Sequence, residues 1–232
     1  MSTSGVTTFN PDLTEIVEEA FERCGGELRS GYDLRTARRS LNLMFTDWAN
    51  RGVNMWTMEQ GQQILTPGTA TYNLPADTVD LLDHVIRTGA GSASTQSDLT
   101  ITRISEPTYA TIPNKLSQAR PIQIWIERLN TPRFTVWPVP DNTTQYILVY
   151  WRLRRIQDAG DGVNTMDMPF RFYNAMVAGL AYYLGMKVPG AIERLQVLKQ
   201  QYDEAWELAA GEDREKAAVR FVPRQQFIGS GI

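Results

Sequence analysis

The chain is 232 residues long, 42% hydrophobic and 21% charged, with a formal net charge of −3. Such a length suits one large domain or two small ones with a real core, and the acidic balance excludes a protein whose main task is gripping nucleic-acid phosphates. With His84 the one histidine and Cys24 the one cysteine, an internal disulfide and a Cys/His metal cluster are excluded, and a Ser-His-Asp triad has only His84 to use.

The N-terminal stretch MSTSGVTTFN has neither a basic flank nor an apolar run, so it does not read as a signal peptide. Asn10 is a candidate N-cap and Pro11 a candidate first helical residue. Leu13, Ile16, Val17, Ala20, Phe21 and Cys24 then repeat at the three/four spacing of a buried helical face, and Gly25-Gly26 ends it. A second helix begins near Ser30–Asp33, carries Leu34, Ala37, Leu41, Met44, Phe45 and Trp48 on one stripe, and stops at Asn50-Arg51-Gly52. Arg35, Arg38 and Arg39 lie off that stripe, as a solvated face or as contacts to an acidic partner surface.

From Val53 the pattern turns to β. Met55-Trp56-Thr57-Met58 leads into a run broken by the turn Pro67-Gly68, and Val79–Thr88 reads as a further strand. His84 falls within it, where a structural role is expected. Gly89–Asp98 is a small polar loop, Leu99–Ile104 is short and alternating, and Ser105-Glu106-Pro107 caps a brief helix before Pro113. Ile122–Leu129, Phe134–Trp137 and Tyr146–Arg154 complete the set, separated by turns at Asn130-Thr131-Pro132 and Pro140-Asp141-Asn142. Strands at this spacing suggest a small antiparallel sandwich or barrel. Leu74-Pro75 forces an extended backbone and Asp77 is placed to bond nearby amides, while Trp137-Pro138 ends its strand in a rigid corner. Trp125, Trp137, Tyr150 and Trp151 read as sheet core and subunit contact, with a stacking platform as the rival. For the basic cluster Arg152, Arg154 and Arg155, acids on a neighbouring subunit or simple solvation are the expected partners.

Helical spacing returns after the acidic loop Asp158–Asp167. Pro169 opens a helix with Phe170, Tyr173, Met176, Val177, Leu180, Ala181 and Leu184. Its small residues Ala175, Ala178 and Gly179 leave almost every face apolar or small, the mark of a central helix. The apolar run Ala175–Met186 is too short to span a bilayer. Pro189-Gly190 breaks the helix, and Ile192, Leu195, Leu198, Tyr202, Ala205, Trp206 and Ala209 stripe the next one. Helices at both ends with strands between give an α+β fold. Residues 1–52 and 166–216 would form a helical bundle, 53–165 an inserted β-rich part, and 217–232 an extended C-terminal arm.

That arm carries the candidate site. Val219, Phe221, Val222, Phe227 and Ile228 put large apolar groups on a segment too short to hide them, while Pro223 and Gly229-Ser230-Gly231 forbid a continued helix. Ordering such a segment costs about 1–2 kcal/mol per residue, so a preformed groove or strand edge is needed to seat it. Phe221, Val222, Phe227 and Ile228 are the expected anchors, with Arg220 and Arg224 supplying orientation. No Walker A or G-x-G-x-x-G pattern is present, and no cofactor is expected. A carboxylate-dependent glycosidase would need two acids at roughly 5–10 Å in a cleft; the sequence sets no such pair apart, and Glu18 and Asp47 are the acids that would test it.

The order of these pieces resembles the head-to-tail adaptor (connector) proteins of short-tailed bacteriophages. Four stretches carry the likeness: the opening helix pair ending DWANRGVNMWTMEQG; TYNLPADTVDLLDHV; ARPIQIWIERLNTPRFTVWPVPDNTTQYILVYWRLRR; and MPFRFYNAMVAGLAYYLGMK with the YDEAWELA helix. Together they cover most of Pro11–Lys216. The resemblance implies a structural virion protein, not an enzyme, at the head-tail junction and assembled in the host cytoplasm. It would be a homo-oligomeric ring (a dodecamer in that family) between the portal protein and the tail nozzle protein, with a tail fibre as a further contact. Genomic DNA would pass its channel without sequence-specific binding, and no membrane is involved. Another tail ring component, stopper- or nozzle-like, is the alternative.

Overall fold

The computed structural model describes residues 4–28, 31–52 and 55–213 of the chain. Helix α1 (Leu13–Cys24) opens on Asp12, not on Asn10. The Asp12 carboxylate accepts from the Glu15 amide at 2.9 Å and the Glu15 carboxylate accepts from the Asp12 amide at 3.0 Å. This reciprocal capping box satisfies two amides at once, whereas Asn10-Pro11 offers a single cap; Asn10 instead accepts from the Tyr173 hydroxyl. The buried stripe is the one the spacing predicts, and Gly25 closes the helix at φ 80°, a left-handed conformation that glycine adopts without strain. Helix α2 (Gly31–Asn50) buries Ala37, Ser40, Leu41, Met44, Phe45 and Trp48.

A short 3-10 turn, Met55–Thr57, then leads into eight strands. They are β1 (Met58–Leu65), β2 (Thr71–Asn73), β3 (Thr78–Thr88), β4 (Ser97–Thr100), β5 (Thr102–Ile104), β6 (Gln123–Glu127), β7 (Arg133–Trp137) and β8 (Tyr146–Arg154), with helix α3 (Glu106–Ala110) between β5 and β6. They form two four-stranded sheets, ordered β1-β8-β3-β4 and β2-β7-β6-β5. Pro67-Gly68 therefore turns the chain from one sheet to the other. The Leu99–Ile104 run is also divided, since β4 joins β3 while β5 joins β6. The pairing of β5 with β6 is parallel, a departure from an all-antiparallel set; α3 and the loop after it supply the crossover that parallel neighbours require. Leu81 and Ile86 of one sheet bury with Ile124, Phe134 and Val136 of the other, alongside Leu148 and Tyr150 from the central β8. This is a sandwich, and neither sheet closes into a barrel.

The chain returns through a 3-10 turn, Phe170–Phe172, into α4 (Tyr173–Gly185). The tighter winding carries Phe170 off the buried face, where it is exposed, and puts Phe172 in the core instead. Ile192 likewise falls in a 3-10 turn, Ile192–Arg194, and is exposed; α5 (Leu195–Glu212) starts after it. Among the described residues, α1, α2, α4 and α5 share one core, with Ile156, Ala159, Met166 and Met168 of the returning segment buried in it. Trp48 is the pivot. Its ring lies 4.8 Å from Trp206 and 5.7 Å from Phe172, and its Nε1 donates to the Tyr202 hydroxyl at 2.7 Å. Gly179 permits the closest approach, since a Cβ there would stand 2.4 Å from Met44 Sδ and 2.8 Å from Tyr202 Cε2.

Candidate functional site

Arg220, Phe221, Val222, Arg224, Phe227 and Ile228, the arm residues singled out by sequence, lie outside the described residues. The place from which residues 214–232 follow is defined. Asp213, just past α5, has a fully buried carboxylate that accepts from Arg171 in the 3-10 turn before α4 and from the Met55 amide at 3.3 Å. One carboxyl group thus joins the end of α5 to both segments where the chain crosses between helices and strands.

Next to this junction, Arg152 and Arg154 find their acids within their own chain, which replaces the expected neighbouring-subunit or solvent partners. Glu59 of β1 stands directly across from Arg152 of β8 in the strand register. Arg152 donates to Glu59 at 2.8 Å and to Asp77 at 2.6 Å, and Arg154 donates to Glu59 at 2.6 Å and to Asp167. Both guanidinium groups are largely buried, so these are charge-assisted bonds with little solvent competition. Hydrogen bonding to Arg152 holds the Asp77 carboxyl below its usual range, and Asp167 holds the Arg154 guanidinium above its own. Asp77 thus bonds Arg152 as well as its own backbone amide.

Arg155 points away from that network. With Arg35, Arg38 and Arg39 of α2, and with Asn42 and Leu43, it lines an open cleft of about 460 Å³. Arg38 is partly satisfied, donating to Asp161 at 3.0 Å and to the Gly160 carbonyl at 3.3 Å. A groove lies elsewhere on the helices. Phe9, Glu15, Glu19, Tyr173 and Val177 line about 410 Å³ of it between α1 and α4. Arg23, Asn174, Ala178, Glu204, Ala205 and Leu208 line a further 420 Å³ where α5 forms the other wall. Sequence reasoning missed this groove because its walls are 180 residues apart along the chain; Leu208 and Phe9, apolar yet off the buried stripes, were the available signal.

The remaining candidates are tied down internally. Cys24 is buried, donates to the Ala181 carbonyl at 2.9 Å, and its thiol is pushed up to about 11 by burial. His84 is half-buried on β3 opposite Tyr150, and burial, with Arg103 nearby, draws its pKa down. Trp125 stacks on Tyr109 at 5.0 Å and Trp137 donates to the Asn114 carbonyl at 3.0 Å. Tyr150 is core while the adjacent Trp151 is partly exposed, so the four aromatics do not share one platform. Asp47 pairs with Arg51 at 2.8 Å, and Glu18 is exposed on α1. Among the described residues no group of His, Cys, Asp and Glu is placed to hold a metal ion, and no helix is long and apolar enough to cross a membrane.

The chain has no match among curated proteins. It does match the model of the SU10 adaptor protein family over residues 12–224, from the Asp12 cap through every helix and strand described above and on to residue 224. The order of elements, the inserted sandwich and that match agree: the chain belongs to the SU10 adaptor protein family, a family of phage head-to-tail adaptors.

Proposed function

We propose that the chain is a structural virion protein that assembles in the host cytoplasm as a ring between the portal and the tail nozzle, extending the DNA channel. The observation that carries this reading is the family match, which spans residues 12–224 and so includes Arg220, Phe221, Val222 and Arg224 along with the whole fold. Residues 1–52 and 166–216 would serve as the helical part of each subunit, 53–165 as the sandwich part, and 217–232 as the tie to the portal. Phe227 and Ile228 extend that apolar tie beyond the matched range. The mechanism is assembly. Helical stripes and the sandwich core make the subunit, lateral contacts close the ring, and repetition around the ring turns individually weak arms into a tight joint. A dodecamer is the stoichiometry the resemblance implies. A net charge of −3 suits a channel wall that lets DNA slide past without gripping its phosphates.

The test is co-sedimentation of the full chain with the portal ring of the same virus. A stoichiometric complex that is lost when residues 217–232 are removed supports the reading. A complex that survives the deletion rejects the arm as the tie, and no complex at micromolar concentrations moves the chain to another joint of the tail.

A further inference from the structure

Helix α4 packs against α2 and α5 on one side and floors a groove between α1 and α5 on the other. Gly179 meets Met44 of α2 and Tyr202 of α5. Asn174 and Val177, on the far side of the helix at 100° per residue, belong instead to the floor of the open groove. The walls of that groove carry three glutamates, Glu15 and Glu19 from α1 and Glu204 from α5, against one arginine, Arg23, with Glu18 and Glu22 exposed beside them. Its rim is apolar, with Phe9 78% and Leu208 74% exposed.

The outer face of α2 has the complementary shape and charge. Tyr32, Arg35, Arg39, Leu43 and Thr46 follow one another at three- and four-residue intervals and all are exposed, which makes one continuous ridge along the helix. Arg35 and Arg39 occupy its N-terminal part and centre, and Leu43, 58% exposed, follows one turn later. Ridge and groove are lined by different residues, so a copy that offers its ridge keeps its own groove available. Such a contact is head-to-tail, the kind that propagates around a ring.

We infer that the Arg35–Arg39–Leu43 ridge of one copy seats in the α1/α4/α5 groove of the next, making the lateral contact of the assembly. Leu43 would lie over Val177 and Ala178 between Phe9 and Leu208, while Arg35 and Arg39 face the acidic walls. Glu19 and Glu204 already touch Arg23 and Gln200, but on an exposed surface such contacts hold weakly and yield to a desolvated arginine. The inference rests on the ring reading above, and the test separates the two.

The full chain carrying Leu43→Cys together with Asn174→Cys is oxidised, alone at high concentration and on the portal ring. Leu43 lines the cleft beside Arg155 and Asn174 lines the groove, two surfaces that share no residue, so a linked product is intermolecular, and buried Cys24 does not compete. A ladder of disulfide-linked multimers, absent from either single variant, is expected. Rings without a ladder overturn the inference and leave the ring intact; neither rings nor ladder removes both. In a second arm, Arg35→Glu with Arg39→Glu should raise the half-assembly concentration by about tenfold or more, and adding Glu19→Arg with Glu204→Arg should bring most of it back. A change below about twofold in the first variant overturns the inference.

Discussion

The helical and sandwich parts handle charge differently. In the sandwich and its junction, arginines are paired across strands, at the surface for Arg87 with Asp98, Arg103 with Asp80 and Arg133 with Glu127, and largely buried for Arg152 and Arg154 with Glu59, Asp77 and Asp167. On the helices the cohesion is apolar and aromatic, centred on Trp48; Arg23 pairs with Glu19, Arg51 with Asp47 and Arg171 with Asp213, while Arg35 and Arg39 lie exposed on α2. A sheet edge needs charges close by to fix register and to block unwanted pairing. A helix, whose backbone bonds are internal, has no such edge to guard. Arginine therefore ties strands together in one part, and in the other also stands exposed on a helix face.

The largest break in this contrast comes from the aromatic pivot. Trp48→Ala removes a fully buried indole and its bond to Tyr202, and should cost about 3–5 kcal/mol in chemical denaturation. Arg154→Leu comes second, at about 2–3 kcal/mol, because Asp167 and Glu59 lose their shared cation at the junction. If instead the change is neutral, the network is ornamental to stability.

A smaller effect is pH-dependent. His84 has a folded pKa below its ordinary 6.5, so the unfolded chain binds more protons in the window just under that value. Stability should rise with pH up to about 6.5 and then level off. As the one histidine of the chain, its ring proton signal gives the midpoint directly, and His84→Phe should flatten the slope. Asp77 adds an acid limb of the same sign: its folded pKa lies below 3.8, so its contribution is present above that value and is lost as pH falls through the folded pKa. The smallest expected effect sharpens the contrast most. Arg39→Glu should leave monomer stability within about 0.5 kcal/mol, unlike Arg154→Leu, whatever it does to assembly.

Sequence reading succeeded where the signal is local. The stripe of α1 follows from a 3.6-residue period, and β3, β6, β7 and β8 from runs of branched and aromatic residues bounded by turns. The N-cap was legible too, as Asp12-x-x-Glu15, and was missed because Asn10-Pro11 imitates a helix start. What the chain could not disclose is anything decided by register. Glu59 reaches Arg152 across 93 residues, and only the pairing of β1 with β8 puts them opposite each other. The division of Leu99–Ile104 between two sheets has the same origin. So has the groove, whose walls meet only because α1 and α5 both pack against α4.

Asp213 has a mechanical consequence. Its carboxylate holds Arg171 and the Met55 amide, and these lie on the two segments by which the backbone passes between bundle and sandwich. Any pull on the chain beyond residue 213 meets this knot before it reaches either hydrophobic core. Load applied at the C-terminal end is thus shared between both crossings at once, and α5 is shielded from being peeled away turn by turn.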